Sequence, residues 1–412
     1  MSAALVRRGA ARLATARAAP AGAARALATQ APHGGKLVDR MVTDPKEKAD
    51  VARRAHVTVE LTERQSCDVE LLTNGAFSPL EGFMHKGDYD SVVDNYRLKN
   101  GALFGLPVVY DTARPDLTPG KKVLFTYKGD NIALLEVEDR WVPDKVKEAK
   151  KTFGTSELEH PGTRVLVFER QHTYLGGKLT GLNKPKRIFP CATPKEVRET
   201  LKAHDHVVAF QCRNPLHQAH YNLAIRSLDA DNVDNKSAVV LINPTCGPTQ
   251  EDDISGEVRY HTYVVLEKEL NQKMPGNKVR WAYLPYSMLM AGPREALQHM
   301  LIRKNFGCTH FVVGRDMAGS KSSITGEDYY GPYDAQDFAK KVSQELGVQT
   351  VPSLNLVYTK EQGYITADLA EKAGLKPLKL SGTEFRRKLR AGEDIPEWFA
   401  FKSVVDVLRK HV

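Results

Sequence analysis

Between Lys36 and Pro190 the chain reads as short apolar runs cut by Gly, Pro and Asp turn signals. The runs Val57–Leu61, Leu106–Tyr110, Lys122–Tyr127, Asn131–Val137 and Arg164–Phe168 have strand length and strand composition. They predict a β-rich N-terminal domain, a small barrel in outline, with Lys128-Gly129-Asp130 as a hairpin turn. Glu63–Glu70 alternates acids and apolars at helical spacing and predicts a short helix. At Thr193 the texture changes. Thr193-Pro194-Lys195-Glu196 places Thr at an N-cap, Pro at the first helical position and Glu at the third. Strands at Val207–Gln211, Ala238–Asn243, Lys278–Leu284 and Phe311–Gly314 then alternate with helices at Pro215–Ala230, Ser255–Leu270 and Gly292–Asn305. Such alternation predicts an α/β domain with a parallel sheet. After Val351 a smaller segment follows, with a strand at Leu354–Tyr358 and a basic helix at Phe385–Ala391 opened by the capping spacing Ser381…Glu384.

Open α/β sheets bind ligands beyond the carboxyl ends of their strands. Three such ends carry polar, Gly-rich or Pro-rich loops, namely Gln211–Pro215, Asn243–Asp253 and Gly314–Tyr333, and they are expected to face one cleft. The first is the richest. Val207–Phe210 leads into a tight turn, with Asn214 suited to an N-cap and Pro215 to the first helical position. A helix start offers free N–H groups and a positive dipole end, a site for phosphate or sulfate. Arg213 adds a planar cation in the turn. His217 and His220, three apart, share a helix face. An HxxH pair alone is more often structural; with Arg213, Asn214 and Pro215 in the same turn it points to nucleotidyl-transfer chemistry. Val313-Gly314-Arg315-Asp316-Met317-Ala318-Gly319 supplies a second cation at another strand end. The long loop Ser320–Tyr333, with Gly326 and Gly331-Pro332, has the composition of a lid. Arg294 and Glu295 open a helix and are as readily structural as functional, and Arg386-Arg387-Lys388 reads as a solvated helix face. Neither G-x-x-x-x-G-K-[ST] nor G-x-G-x-x-G occurs.

Composition narrows the picture. A chain of 412 residues suits two or three domains. Setting aside the five arginines of residues 1–35 leaves 54 basic against 50 acidic residues, a balance of +4 in place of +9. That excess suits small anions and asks for neither nucleic acid nor membrane. Residues 1–35 hold Arg7, Arg8, Arg12, Arg17 and Arg25, many alanines and no acid. This is the composition of an organelle transit peptide, mitochondrial as the first expectation and plastid as the alternative. Five scattered cysteines without a CxxC pair argue against a disulfide framework and a zinc site, and for a reduced compartment.

The motifs resemble those of a known family. Gln211-Cys212-Arg213-Asn214-Pro215-Leu216-His217-Gln218-Ala219-His220 is similar to the QxRNPxHxxH motif of the ATP sulfurylases (sulfate adenylyltransferases), and Gly314–Gly319 to their GRDxAG motif. Leu61–Gln65, Leu72–Met84, Met290–Ala296 and Ser381–Arg387 resemble further family blocks, so the resemblance runs from about Lys36 to the C-terminus. Beyond the transit segment that composition suggests at 1–35, it implies a PUA-like barrel at 36–190, a Rossmann-like nucleotidylyltransferase domain at 191–350 and a small α/β domain at 351–412. It implies conversion of ATP and sulfate to adenosine 5′-phosphosulfate and pyrophosphate in sulfur assimilation, with Mg²⁺ carried on ATP and no protein-bound metal. By that resemblance Gln211 and Arg213 bind sulfate together with the N–H of Ala318. Gln211, Asn214, His217, His220, Gly314, Arg315, Asp316, Met317 and Val357 meet ATP. Arg213, Asn214, His217, His220 and Arg315 form the catalytic set, with Cys212 contributing its backbone only. Cys212 and Met317 depart from the residues usual there, and Cys212 is a candidate for thiol modification. A homo-oligomer is expected, functionally coupled to an adenylylsulfate-consuming enzyme and a pyrophosphatase, and no fused kinase domain is expected.

Overall fold

The structure, a computed structural model, describes residues 30–411 apart from 251, 252, 274, 275, 277 and 354. Residues 1–29, most of the expected targeting segment, lie outside the described residues. The fold begins earlier than the expected boundary at residue 36. His33 is buried, its backbone N–H donates to Asn305 Oδ1 at 2.8 Å, and its Nε2 lies 2.7 Å from the Leu103 carbonyl.

The N-terminal part comprises α1 (Pro45–Arg53), β1 (Val57–Glu60), α2 (Glu63–Thr73), β2 (Gly82–Phe83), α3 (Lys86–Asn95), β3 (Tyr110–Thr112), β4 (Lys122–Tyr127), β5 (Asp130–Trp141), α4 (Lys145–Phe153), α5 (Pro161–Arg164) and β6 (Thr173–Gly181). Its sheet runs β1-β4-β5-β6, with β2 and β3 both pairing β6; β1 lies parallel to β4 and the other pairs are antiparallel. The β4–β5 hairpin turns at Lys128 and Gly129, both with positive φ (51° and 83°), the geometry that a tight two-residue hairpin demands. Thr62 caps α2 in a full capping box with Gln65.

Two expected strands are not formed. Of Leu106–Tyr110 only Tyr110 enters β3. Pro107 has no N–H to give a ladder, and the N–H groups of Gly105 and Leu106 donate instead to the Gln298 amide oxygen at 3.1 and 3.2 Å. Arg164–Phe168 ends α5 and continues as a π-helix, Val165–Glu169. Pro161 starts that helix behind a His160 cap, and burial takes Val165 and Leu166 inward while Val167 and Phe168 stay exposed, which no alternating strand would do.

The second part contains α6 (Pro194–Leu201), β7 (His206–Cys212), α7 (Gln218–Arg226), β8 (Ala238–Pro244), α8 (Gly256–Lys273), β9 (Val279–Trp281), α9 (Gly292–Asn305), β10 (His310–Val313), α10 (Asp334–Leu346) and β11 (Gln349–Pro352). A hairpin of β12 (Leu356–Thr359) and β13 (Gly363–Thr366), then α11 (Ala367–Lys372), α12 (Gly382–Arg390) and α13 (Lys402–Arg409), completes the chain. The strands form a parallel sheet in the order β11-β10-β7-β8-β9. Period-two alternation sorts its side chains. Val207, Ala209, Val239 and Leu241 pack toward α9 and the N-terminal part, whereas Val208, Phe210, Val240 and Ile242 pack toward α8 and α13.

The α9 helix lies between the two parts and is buried nearly all round. Apolar members such as Leu297, Met300 and Leu301 each contribute roughly 1.5–3 kcal/mol of burial. Its polar members are structural. Arg294 donates to the carbonyls of Gly105, Val93 and Lys151, each at 2.9 Å, and also to Val92. Glu295 accepts from Tyr286 Oη, Leu289 N and Ala291 N at 2.9, 2.9 and 3.0 Å. On α12, Arg387 pairs with Glu384 and Glu393, and Lys388 with Glu393, the ion pairs of a solvated face. No helix among the described residues is long and apolar enough to cross a membrane.

Candidate active site

The carboxyl ends of β7 and β10 open onto one cavity of about 420 Å³. Gln211, Cys212, Arg213, Asn214 and His220 line it from the β7 side, and Gly314, Arg315, Asp316, Met317, Ala318 and Gly319 from the β10 side. Leu223 of α7, Met288, Met290 and Ser353 complete the wall.

The turn after β7 is held by side chains from α8. Arg259, itself buried, donates to the carbonyls of Arg213 and Thr245 at 2.8 and 2.9 Å, and the Tyr263 hydroxyl to the Asn214 carbonyl at 3.1 Å. The turn therefore stays extended, and α7 begins at Gln218, not at Pro215 as its sequence suggests. His217, not Asn214, is the N-cap residue, and the first helical N–H is taken by the Phe399 carbonyl at 3.0 Å. The helix also ends at Arg226, before a short 3₁₀ turn.

Arg213 is fixed in direction. With the Gln250 amide turned to offer its oxygen, Nη1 and Nη2 donate to it at 2.8 and 3.2 Å, and Asp253 Oδ2 lies 3.8 Å from Nε. Gln211 Nε2 donates to Thr245 Oγ1 at 3.2 Å. Cys212 borders the cavity but packs in the apolar layer with Phe210 and Leu216. Its thiol is 3.9 Å from the Tyr263 hydroxyl, and burial pushes it up to about 12. Burial and the raised thiol run against the expectation of a modifiable Cys212, since the thiolate is the reactive species. All five cysteines are free, with Cys191 Sγ and Cys246 Sγ 3.5 Å apart.

The two histidines are stacked on each other, ring centroids 3.8 Å apart at 23°, and His217 stacks in turn on Phe399 at 5.4 Å. Desolvation lowers His217 to about 4 and His220 to about 3, the latter helped by its neighbour. Both imidazoles are therefore neutral at physiological pH. Their Nδ1 atoms are out of solvent and lack a partner among the described residues, a state that a polar ligand relieves.

The β10 loop is built differently. Asp316 and Ala318 take left-handed φ of 55° and 52°, held by Asp316 N to the Pro332 carbonyl and Gly319 N to the Asp316 carbonyl, both 3.0 Å, and by Gly292 N to the Ala318 carbonyl at 3.0 Å. Arg315 is 61% exposed and, among the described residues, pairs with adjacent Asp316, Nε to Oδ2 3.2 Å, itself half exposed. The 320–333 segment expected as a lid is docked on the N-terminal part: Ile324 N donates to Glu159 at 3.1 Å, Tyr329 Oη to Glu157 at 3.1 Å and Tyr330 Oη to the Phe153 carbonyl at 3.0 Å. Val357 lies in the β12–β13 hairpin opposite Ile365 and does not line the cavity. Among the described residues, no group of three or more His, Cys, Asp or Glu is arranged to hold a metal ion.

The family model described as ATP-sulfurylase matches residues 190–411, and a PUA-like domain model matches residues 30–184. The chain belongs to the ATP-sulfurylase family. Proteins named sulfate adenylyltransferase from Coccidioides immitis and Neosartorya fischeri are each 41% identical to it over 92% of this chain and 67% of their own length. One from Mycosarcoma maydis is 40% identical over the same shares. A solved structure titled a hexameric APS kinase from Thiobacillus denitrificans superposes with a TM-score of 0.73 at 23% identity, covering 93% of this chain and 69% of that one, and shares the fold.

For this ATP-sulfurylase chain, motif reading found both strand-end loops but missed their supports. Gln250 and Asp253 sit in the 243–253 loop expected at the cleft, yet nothing in a polar loop marks which member will face Arg213. Arg259 and Tyr263 lie on α8, where an Arg and a Tyr four apart read as ordinary helix. Met290 opens the Met290–Ala296 block and Met288 lies two residues before it, and the apolar character of both hid their place in the cavity wall.

Proposed function

We propose that the chain is a sulfate adenylyltransferase, forming adenosine 5′-phosphosulfate and pyrophosphate from ATP and sulfate. One observation carries the reading: the β7 residues Gln211, Arg213, Asn214 and His220 and the β10 residues Gly314–Gly319 share a single cavity. The family membership supports it. A sulfate oxygen attacks the α-phosphorus of ATP in line, a new S–O–P link forms and the bond to the pyrophosphate oxygen breaks. Sulfate needs no general base near neutral pH. What it needs is charge cancellation and placement against another anion. Gln211 and Arg213, with the Ala318 N–H, hold sulfate; Asn214, His217 and His220 donate to ATP phosphates; Arg315 and the loop Gly314–Met317 hold the nucleotide. The two imidazoles enter neutral, so they act as hydrogen-bond donors to the departing pyrophosphate, each such donor being worth about 3 kcal/mol. Mg²⁺ comes bound to ATP as part of the substrate.

Making an anhydride with sulfate is uphill. Net flux therefore calls for an adenylylsulfate-consuming enzyme or a pyrophosphatase alongside, as in sulfur assimilation. The acid-free, Arg-rich residues 1–35 support import into mitochondria, with plastids as the alternative, to be read from the location of a fluorescent fusion of the full chain. The test of the main reading is pyrophosphate release with MgATP. Release that depends on sulfate, with molybdate as a futile substitute and phosphate esters inert, is expected. Release with phosphate esters and none with sulfate would overturn it.

A further inference from the structure

The two side chains assigned to sulfate, Gln211 and Arg213, rest on methionine sulfurs. Gln211 Nε2 is 3.7 Å from Met288 Sδ and Arg213 Nη1 is 2.7 Å from Met290 Sδ. Both methionines line the cavity, whereas Gln250 and Asp253, oxygen acceptors near Arg213 among the described residues, do not. Strong acceptors thus hold the guanidinium from outside the cavity and a weak one meets it from inside.

The turn that presents the methionines is bolted. Met288 N donates to the Pro248 carbonyl at 3.0 Å, and Leu289 N and Ala291 N to the buried Glu295 carboxylate at 2.9 and 3.0 Å. His160 Nε2 donates to the Met290 carbonyl at 3.0 Å, while its Nδ1 accepts from Gly162 N. Met290 is held at φ +60°, a left-handed conformation that a non-glycine residue keeps only when its surroundings impose it.

A thioether is a weak hydrogen-bond acceptor on a polarizable, apolar body. A carboxylate or amide oxygen in its place would bind these donors about as well as sulfate does and would compete. A purely aliphatic side chain would leave Gln250 and Thr245 holding the donors from behind but would offer no acceptor on the methionine side. We infer that Met288 and Met290 are positioning residues that hold the sulfate-binding donors ready on an acceptor weak enough for sulfate to displace. This rests on the sulfate adenylyltransferase reading.

The test is steady-state kinetics of the full chain and of its Met290→Gln, Met290→Leu and Met288→Gln variants, with Tm measured alongside. Gln supplies a strong acceptor at nearly the same length; Leu keeps the bulk without the sulfur. Met290→Gln is expected to raise the KM for sulfate about tenfold, the size of a competing hydrogen bond to a charged group, with the KM for ATP unchanged. Met290→Leu is expected to lower kcat while leaving the KM for sulfate within about threefold. A merely structural role would move Tm and shift both variants alike. Equal shifts in the KM for sulfate, or none, in an active protein would overturn the inference alone. Absence of sulfate-dependent release from the wild-type chain would overturn the underlying reading with it. If Met290→Gln does not fold, Met288→Gln, acting on Gln211, gives the same contrast.

Discussion

The two strand-end loops that make the cavity solve the same problem, facing an anion, by opposite means. The β7 loop is locked before any ligand arrives. Its carbonyls are taken by Arg259 and Tyr263, its Arg213 is gripped by Gln250, and its histidines are stacked with their Nδ1 atoms out of solvent. The β10 loop has a fixed backbone with two left-handed residues, yet its Arg315 stands largely in solvent beside the neighbouring Asp316 carboxylate. Preorganised donors in a desolvated wall are worth most where charge develops. An exposed arginine gives weaker, screened attraction suited to capture. On the proposed function, the first loop serves the reacting centre and the second holds a nucleotide that comes and goes.

Arginine deletion tests that division most sharply. Arg213→Ala is expected to lower kcat/KM for sulfate by about 10²–10³, and Arg315→Ala to raise the KM for ATP about tenfold with a smaller change in kcat. Both are read from pyrophosphate release, and the reverse ranking would break the comparison.

Acid should expose the desolvated β7 loop next. An unfolded histidine takes up a proton near 6.5, whereas His217 and His220 resist protonation to about 4 and about 3. The unfolded state binds more protons across that window, so the stability is full above pH 6.5 and is lost as pH falls toward 4. Each ring removes up to about 1.4 kcal/mol per pH unit. Tm should therefore drop between pH 6.5 and 4.5, and less steeply in His220→Asn. His160 and His310, each lowered to about 4, add to the same slope. An unchanged slope in the variant would show that the pair is already protonated when folded.

A pair of glycines separates scaffold from ligand face. A Cβ at Gly292, where φ is +50°, would lie 2.7 Å from the Tyr330 ring, while one at Gly314 meets nothing within 4 Å and enters the cavity. Gly292→Ala is expected to cost about 1–3 kcal/mol in denaturant unfolding. Gly314→Ala should leave stability within about 0.5 kcal/mol and raise the KM for ATP. The smallest effect falls on Cys212. An alkylating reagent at pH 7.5 should leave it unlabelled in the native chain, and Cys212→Ala should lower kcat by less than about threefold. Rapid native labelling with loss of activity would mean that the thiol faces the ligand.

Much of this was legible beforehand because it is local. The capping box at Thr193, the Lys128-Gly129 hairpin turn, the four parallel strands and the two motif loops each follow from residues close in sequence. Where local preference misled, a distant partner had changed the terms. Gln298 on α9 drew off the N–H groups near Pro107, and Arg259 and Tyr263 kept Pro215 out of the helix that Asn214-Pro215 advertises. The fifth strand, β11, went unread because a four-residue strand at a sheet edge has almost no pattern of its own.

By itself, the sequence determined the alternation of β7, β8, β9 and β10 with α7, α8 and α9, the α/β class and the presence of one arginine at each of two strand ends, since backbone propensity and period are properties of neighbours. Only the tertiary structure decided that the histidines are neutral, that Cys212 packs in the apolar layer and that two methionine sulfurs face Gln211 and Arg213. Those facts depend on desolvation and on hydrogen-bond partners brought in from α8, α9 and the 396–400 turn. Such long-range contacts leave no periodic trace in the chain that makes them.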